Sequence, residues 1–291
     1  GDVFFTRTSE TPDEIGVTTT ILEELENAVF SGFILRARPK TEQLDISYQK
    51  FCFSSSYIRN KIVSSCTYTT RALTNGTSLS KIFIPIPPKS EQQAIATALS
   101  DVEDLISSLE KLIEKKSQIR QGTMQQLLTG NERLEGFSDE WGSDVVKNLA
   151  SITTGSRNTQ DRQANGEFPF FVRSSVVERI NSYSYDGEAV LTAGDGVGTG
   201  KIFHYINGKF DFHQRVYKIS DFTDRIHGYF FYLYFATNFY NRIISMTAKS
   251  SVDSVRIEMI ADMSIPLPPI EEQKAIAQIL SDIDSEIEKL K

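Results

Sequence analysis

The chain has 291 residues, of which 40% are hydrophobic and 24% are charged. This length and this balance predict two globular domains of ordinary size, each with an apolar core of its own. The net charge of −7 excludes a protein that coats nucleic acid non-specifically, because such binding depends on neutralising phosphates. It does not exclude a protein that concentrates its basic residues on one face.

The sequence shows no sign of a membrane segment. No apolar stretch approaches the roughly 20 residues that a membrane helix needs, and no basic segment followed by an apolar run opens the chain. The two cysteines, Cys52 and Cys66, are too few for a disulfide framework. We therefore expect a cytoplasmic protein with reduced thiols and no contact with a membrane.

The first segment, residues 1–88, is predicted to be the C-terminal part of a mixed α/β domain. Its opening residues 1–6 resemble residues 187–192, which lie in the middle of the second predicted domain. We therefore expect the chain to begin partway through its first domain and to stop partway through its last helix. A circularly permuted protein is the alternative explanation.

Residues 89–130 are predicted to contain a long helix, which from about 91 to 128 would be on the order of 57 Å long at 1.5 Å per residue. The Pro-Ile-Pro-Pro segment before it cannot be helical, because proline lacks the N–H group. Ser90 is a candidate N-cap, and Gly130 is a candidate end of the helix. The apolar residues that recur at helical spacing are Ile95, Leu99, Val102, Ile106, Leu109 and Ile113.

The next segment, residues 131–269, has the pattern of a complete mixed α/β domain with short strands and glycine-rich turns. Strands are predicted at 168–172, 188–192, 201–205 and 216–219, and a helix at 229–245. A second long helix then begins in residues 270–291. Its apolar stripe consists of Ile276, Leu280, Ile283 and Ile287.

A long internal repeat connects the two halves of the chain. Pro-Ile-Pro-Pro at 85–88 recurs as Pro-Leu-Pro-Pro at 266–269, and Glu91-Gln92 recurs as Glu272-Gln273. This repeat indicates duplication of one large module. Because each long helix carries an apolar stripe that needs a partner, we expect the two helices to pack as a coiled coil. The alternative is that each helix lies on its own globular domain.

No catalytic constellation is recognisable in the sequence. The glycine-rich loop at 194–201 fails the P-loop pattern, because Asp195 and Ile202 stand where glycine and Ser/Thr are required. Thr199 stands in place of the third glycine of a dinucleotide fingerprint. A tight turn between strands is the expected use of this loop. The three histidines and two cysteines show no metal spacing, so we expect no catalytic residue, no cofactor and no metal in this chain.

The order of these elements resembles the specificity subunit of type I restriction–modification systems. The repeated Pro-rich and Glu-Gln segments carry the resemblance, together with Ala94-Ile95-Ala96 and its second copy. The Gly-Phe-Ser-Asp-Glu-Trp segment at 136–141 is similar to the one that introduces a second recognition domain. The stretches at 153–158 and 193–201 are similar to one type of recognition domain.

This resemblance implies two target-recognition domains, each reading one half of a split site in double-stranded DNA. It implies two antiparallel helices that fix the separation of the half-sites. The implied partners are two methyltransferase subunits, which carry S-adenosylmethionine and modify adenine, and motor–nuclease subunits in the full complex. The missing front half of the first domain and the short second helix depart from the family pattern.

Side-chain chemistry selects candidate DNA contacts in the second domain. Arginine can pair with guanine, asparagine and glutamine can pair with adenine, and basic or small polar groups bind phosphates. His204 is expected to be structural. Arg7, Arg36 and Arg38 are weaker candidates in the first domain. The predicted DNA-binding residues are Arg157, Asn158, Arg173, Ser174, Lys201, His213, Gln214 and Arg215.

Two other functions remain open at this point. The chain could be a protein-interaction scaffold, in which the paired helices recruit partners and the domains do not read DNA. It could also be an enzyme with an unrecognised site. The repeat argues against an enzyme, because a single active site is not expected to appear twice without visible catalytic residues.

Overall fold

A computed structural model describes residues 1–246 and 254–291 of the chain. The fold is mixed α/β, as predicted, and it divides into two compact units, Gly1–Leu112 and Ile113–Lys291. The boundary between the units falls inside one long helix, so a single continuous element contributes to both of them.

The first unit contains two three-stranded sheets and three short helices that precede the long one. Its strands are β1 (Val3–Thr6), β2 (Thr8–Ser9), β3 (Thr18–Thr20), β4 (Ile34–Ala37), β5 (Thr67–Tyr68) and β6 (Ala72–Leu73). Its helices are α1 (Ile46–Cys52), α2 (Ser56–Ser64), α3 (Gly76–Leu79) and the first part of α4 (Lys89–Thr129). The strand orders are β3-β1-β4 and β2-β6-β5, and all neighbours are antiparallel.

The second unit is built on a six-stranded sheet with the order β10-β9-β12-β11-β13-β8. Its strands are β7 (Gly142–Val145), β8 (Ser151–Thr154), β9 (Phe168–Phe171), β10 (Glu178–Ile180), β11 (Tyr185–Ala193), β12 (Phe203–Phe212), β13 (Val216–Ser220) and β14 (Ser264–Leu267). Its own helices are α5 (Gly228–Ser245), α6 (Ile257–Ala261) and α7 (Ile270–Leu290). Only β9 and β12 run parallel among the neighbours of this sheet, and β14 pairs with β7.

The similarity between residues 1–6 and 187–192 corresponds to a shared position in two sheets. β1 lies between β3 and β4, and β11 lies between β12 and β13. β12 and β13 each have a further neighbour, β9 and β8 respectively. Within residues 1–112, all of which the structure describes, β3 and β4 have no such neighbour. The first sheet therefore has two open edges.

The main core of the second unit lies where α5 packs against the sheet. Phe231, Phe235 and Phe239 are fully buried on one stripe of this helix, and their rings stack with centroids 5.3 and 4.5 Å apart. Burying a phenylalanine side chain contributes about 1.5–3 kcal/mol. This row of aromatic rings therefore gives the sheet a rigid support.

The predicted long helix is confirmed as α4, but the N-cap prediction for Ser90 is wrong. Ser90 lies in the first helical turn. The carbonyl oxygen of Pro88 accepts from the N–H of Gln92 at 3.0 Å and thereby starts the helical hydrogen-bond ladder. Pro269 holds the N-cap position of α7. Proline has no side-chain oxygen, so Pro88 and Pro269 do not cap the free N–H groups of the first turns with a side chain.

The repeated glutamine explains why the Glu-Gln motif occurs twice. Gln92 is fully buried in the first unit. Its Nε2 donates to the carbonyl oxygens of Gln43 and Pro87 at 2.9 and 2.8 Å, and its Oε1 accepts from the N–H of Asp45 at 2.8 Å. Asp45 is the N-cap of α1. The side chain therefore ties the start of α4 to the start of a domain helix.

Gln273 makes the equivalent set of bonds in the second unit. Its Nε2 donates to the carbonyl oxygens of Arg225 and Pro268 at 3.0 and 2.8 Å, and its Oε1 accepts from the N–H of His227 at 2.9 Å. His227 is the N-cap of α5. The motif is thus a structural device that fixes each long helix to its domain, with every polar atom of the buried amide contributing.

In the second unit, α7 contacts both α5 and the C-terminal part of α4. Ile276 and Leu280 are buried in the main core, in the same cluster as residues of α5 and the end of α4. Lys116 pairs with Glu286 at 2.6 Å, and Arg120 pairs with Asp284 through two bonds, one of them 2.9 Å long. The later residue of α4, Arg120, therefore pairs with the earlier residue of α7, Asp284, as in an antiparallel contact.

The apolar stripe in the first part of α4 is largely uncovered. Leu99, Val102 and Ile106 are 42%, 53% and 50% exposed, whereas Ile95, Leu109 and Ile113 are partly buried. Ile283 is partly buried and Ile287 is buried on α7. Packing of this stripe against a partner helix stays a prediction.

Candidate nucleic-acid interface

An open pocket of about 420 Å³ lies in the second unit. Its walls are chain segments that follow β8, β9, β11 and β12, so the sheet fixes each of them. The side chains that line the pocket are polar or charged: Asn158, Thr159, Gln160, Arg173, Asp195, His213, Gln214 and Arg215. The structure thus brings together most of the predicted DNA-binding residues.

A single carboxylate organises the basic groups of this pocket. Asp195 lies 2.8 Å from an NH1 nitrogen of Arg173 and 3.3 Å from that of Arg215. The two arginine side chains are 43% and 64% exposed. Two guanidinium groups share one acid, so the group of three keeps a net positive charge. Sequence analysis missed this role of Asp195, because it tested the loop only against nucleotide-binding patterns.

Close backbone packing positions the amide residues of the pocket. A Cβ atom at Gly155 would lie 2.0 Å from the carbonyl oxygen of Phe212, so only glycine permits this approach. Two residues further along each of these segments, the N–H of Gln214 donates to the carbonyl oxygen of Arg157 at 2.8 Å. The Nε2 of Gln214 donates to Oδ1 of Asn158 at 2.6 Å. Two segments that are distant in sequence therefore present paired amides.

His213 shapes the turn between β12 and β13. Its side chain is buried, and its Nδ1 accepts from the N–H of Arg215 at 2.9 Å. Burial, and then the positive charges of Arg173 and Arg215, lower the pKa of His213. The ring is therefore neutral at neutral pH and supports the turn from beneath the pocket.

Acid is expected to destabilise this turn. The folded state resists protonation of His213, whereas the unfolded state takes up the proton below pH about 6.5, so the contribution to stability falls as pH drops below that value. The measurement compares urea-unfolding midpoints at pH 7.5 and 5.5 in the wild type and in His213→Asn, which keeps a side-chain acceptor but does not titrate. Identical pH dependence in the two proteins would contradict this expectation.

Arg157 adjoins the pocket through its backbone, but its guanidinium turns towards a buried carboxylate. Its Nε lies 3.1 Å from Oδ2 of Asp211, and its NH2 donates to Oγ of Ser182 at 3.0 Å. Asp211 is fully buried and also accepts from Oγ of Ser184 at 2.8 Å and the N–H of Phe212 at 3.0 Å. The side chain of Arg157 remains 43% exposed, so part of it faces solvent.

Other predicted residues do not line the pocket. Ser174 uses its Oγ to accept from the N–H of Val176 at 3.1 Å. The ammonium of Lys201 lies 4.7 Å from the ring centre of Tyr240, a cation–π distance. Burial lowers the pKa of His204, whose Nε2 lies 3.3 Å from the carbonyl oxygen of Ser174. Its position fits the expected structural role.

Arg36 and Arg38 of the first unit belong to a different kind of site. Arg38 donates two hydrogen bonds to the carboxylate of Asp2, at 2.7 and 2.8 Å. This side-chain hydrogen bonding is the main cause of the lowered pKa of Asp2. Arg36 lies 3.6 Å from the same carboxylate. These groups line a larger pocket of about 940 Å³ together with Glu23 and Glu24. The acidic lining makes this pocket a poor match for DNA.

Groups that could hold a metal ion and helices that could span a membrane are both absent from the described residues. Among the side chains of residues 1–246 and 254–291, no group of three or more His, Cys, Asp or Glu is placed to hold a metal ion. None of the helices described by the structure combines the length and the hydropathy needed to cross a membrane. The glycine-rich loop after β11 forms a tight turn, with the N–H of Lys201 bonded to the carbonyl oxygen of Gly198 at 3.0 Å.

These features define a modular protein: two α/β units that share one long helix, with basic and amide side chains gathered on fixed turns. The family model for the type I restriction modification DNA specificity domain matches the chain at residues 15–121 and again at residues 139–291. The chain therefore belongs to this family.

Curated relatives carry the same description. The chain is 27% identical over 258 residues to the type I restriction enzyme MjaVIII specificity subunit of Methanocaldococcus jannaschii, covering 75% of this chain and 61% of the relative. It is 30% identical over 152 residues to the type I restriction enzyme EcoDI specificity subunit of Escherichia coli, covering 52% of this chain and 33% of the relative. The chain thus matches about three fifths and one third of the lengths of these two relatives.

Solved structures share the fold. The S subunit of a type I restriction–modification system from M. genitalium superposes with a TM-score of 0.67 at 15% identity, covering 99% of this chain and 77% of that one. The HsdS subunit from Thermoanaerobacter tengcongensis superposes with a TM-score of 0.54 at 17% identity, covering 99% and 74%. At these identities the similarity shows the fold alone.

Proposed function

We propose that this chain reads a bipartite DNA sequence as the specificity subunit, or a large part of one, of a type I restriction–modification complex. The observation that carries the proposal is the pocket of the second unit, where Arg173, Gln214 and Arg215 converge on turns that a sheet holds in place. Exposed arginines and amides are the groups that bind phosphates and read base edges. Membership of the specificity-domain family supports the same role.

In this proposal the chain carries two target-recognition domains, residues 1–88 and 131–269, with the helices at 89–130 and 270–291 between and after them. The helices would form an antiparallel coiled coil that sets the distance between the two half-sites. The ion pairs Lys116–Glu286 and Arg120–Asp284 support this arrangement, because the residue order along α4 is the reverse of the order along α7.

The proposed partners are double-stranded DNA, two methyltransferase subunits and, in the full complex, motor–nuclease subunits. S-adenosylmethionine would be held by the methyltransferase subunits, and no catalytic step is assigned to this chain. The proposed location of the complex is the cytoplasm. The net charge of −7 supports dependence on partners, because an acidic protein gains little from non-specific attraction to phosphates.

Replacing Arg157, Arg173 and Arg215 together by alanine is expected to abolish recognition of one half of the split motif. The loss of three cationic contacts should reduce enrichment of that half-site by at least about 100-fold, since each base contact is worth about 1–3 kcal/mol. The measurement is salt-titrated binding of the complex with its methyltransferase subunits to a library of randomised duplexes.

A matched control removes three positive charges of the same unit that do not line the pocket, at Lys147, Arg225 and Lys274. This variant should keep both half-sites of the motif. A stable wild-type complex with no sequence enrichment at any salt concentration would overturn the proposal. It would leave the chain as an interaction scaffold.

A further inference from the structure

We propose that Gln214 reads an adenine in the half-site of the second domain and that Asn158 is the residue that positions it. This inference rests on the proposed function, DNA reading. It adds the identity of one base and a division of roles between two amides that line the same pocket.

The amide of Gln214 has one donor and one acceptor available. One Nε2 hydrogen is donated to Oδ1 of Asn158 at 2.6 Å. The other Nε2 hydrogen and Oε1 bond to no other side chain or backbone group among the described residues, and the side chain is exposed. A planar amide in this state offers a donor beside an acceptor, and the side chain lines the open pocket.

Adenine has the complementary edge. In the major groove it presents the N7 acceptor beside the N6 amino donor, which a glutamine amide can bond through both of its atoms. Guanine presents two acceptors, cytosine a donor, and thymine an acceptor with a methyl group. A glutamine fixed in one orientation therefore discriminates in favour of adenine.

Asn158 is fixed more firmly than Gln214. It is half-buried, and its N–H donates to Oδ2 of Asp161 at 2.7 Å while its carbonyl oxygen accepts from the N–H of Asp161 at 3.0 Å. The backbone of Gln214 is anchored by its bond to the carbonyl oxygen of Arg157. The amide that contacts the base is thus held at both ends before DNA arrives, which reduces the entropy lost on binding.

The other side chains of the pocket suit different roles. Arg173 and Arg215 each bond Asp195 with part of the guanidinium, so their remaining N–H groups are held in place and suit guanine, which presents two acceptors. His213 is buried and uses its Nδ1 within the turn. Gln163 is exposed, does not line the pocket, and accepts from Nδ2 of Asn181 through its Oε1. It provides the control, a glutamine paired with an asparagine outside the pocket.

The experiment measures base preference position by position, with the complex of this chain and its methyltransferase subunits on a randomised duplex library. Gln214→Ala should reduce the preference for adenine at one position by about tenfold or more and leave the other positions unchanged. Gln214→Glu should shift that position towards cytosine, because a carboxylate accepts from the N4 amino group. Asn158→Ala should weaken the same preference, and Gln163→Ala should leave every position unchanged.

The outcomes separate this inference from the proposed function. A wild-type complex that enriches a split motif, with adenine preference unchanged in Gln214→Ala, overturns the reading role of Gln214 and leaves the proposed function intact. Equal loss at every position in Gln214→Ala also overturns it, because a base reader acts at its own position. Loss in Gln214→Ala without loss in Asn158→Ala overturns the positioning role. No enrichment by the wild type overturns the proposed function itself.

Discussion

Glu272→Ala is expected to lower the free energy of unfolding of the second unit by about 2–4 kcal/mol, because it leaves charged and polar donors without an acceptor. The carboxylate of Glu272 is fully buried. It accepts from Nε and NH2 of Arg133 at 2.6 and 2.8 Å and from Nε1 of Trp141 at 3.1 Å. These bonds tie the first turn of α7 to the segment that follows α4.

The internal repeat supplies a matched control for this prediction. Glu91 occupies the equivalent position in the first copy, but it is exposed and has no ion pair or side-chain hydrogen bond among the described residues. Glu91→Ala should therefore change the stability of the first unit by no more than about 0.5 kcal/mol. Hydrogen exchange of peptides from each unit, with and without urea, measures the two effects separately. Equal destabilisation by the two substitutions would contradict the assigned role of Glu272.

The contrast between these two residues shows where sequence reasoning ends. The repeat identified Glu91 and Glu272 as equivalent, and likewise Gln92 and Gln273. The glutamines are equivalent in the structure as well, with the same three kinds of bond. The glutamates are not. Glu272 is bound by Arg133 and Trp141, which are far from it in the sequence, whereas Glu91 has no such partners among the described residues. Residue identity alone therefore does not reveal the difference.

The elements of the second unit were predictable to different degrees. β9, β11 and β13 overlap the predicted strands closely, because apolar and β-branched residues dominate them. The strand predicted at 201–205 instead begins at Phe203 and continues to Phe212. β8 and β10 were not predicted, since they are short and carry mostly polar or charged residues. These two strands form because they pair with neighbouring strands, and local β-propensity does not indicate such pairing.

The candidate site was partly predictable for a similar reason. Asn158, Arg173 and Gln214 were selected as polar residues that follow turns or strand ends, and the sheet brings them to one pocket. Lys201 was selected on the same grounds, but its ammonium lies over the ring of Tyr240 instead. The direction of a long side chain depends on tertiary neighbours. A sequence position next to a loop therefore predicts that a residue lies near the pocket better than it predicts what its side chain contacts.

Asp211→Asn is expected to impair both the stability of the second unit and its reading of DNA. Asp211 is fully buried and accepts four hydrogen bonds, from Arg157, Ser182, Ser184 and the N–H of Phe212. An asparagine turns one acceptor into a donor that faces other donors. The expected cost is about 2–3 kcal/mol, since hydrogen bonds that involve a charged group are the stronger ones.

Exposed Asp186 provides the control for this substitution, because it lies on β11 and has no side-chain bond among the described residues. Asp186→Asn should change the urea-unfolding midpoint little and should leave base preference intact. Asp211→Asn should lower the midpoint and weaken enrichment of one half-site. If enrichment stays at the wild-type level while stability falls, the bond to Arg157 serves the fold alone and the guanidinium is not needed in this orientation for DNA reading.

Comparison with Arg157→Ala then separates the two roles of this ion pair. Arg157 is 43% exposed, so its removal leaves a buried carboxylate that still accepts three other bonds, and the stability loss should be the smaller of the two. Base preference should fall to a similar extent in both variants, because Asp211→Asn releases the guanidinium from its position and Arg157→Ala removes it. A double variant that loses no more base preference than either single one would assign the pair to one shared step in recognition.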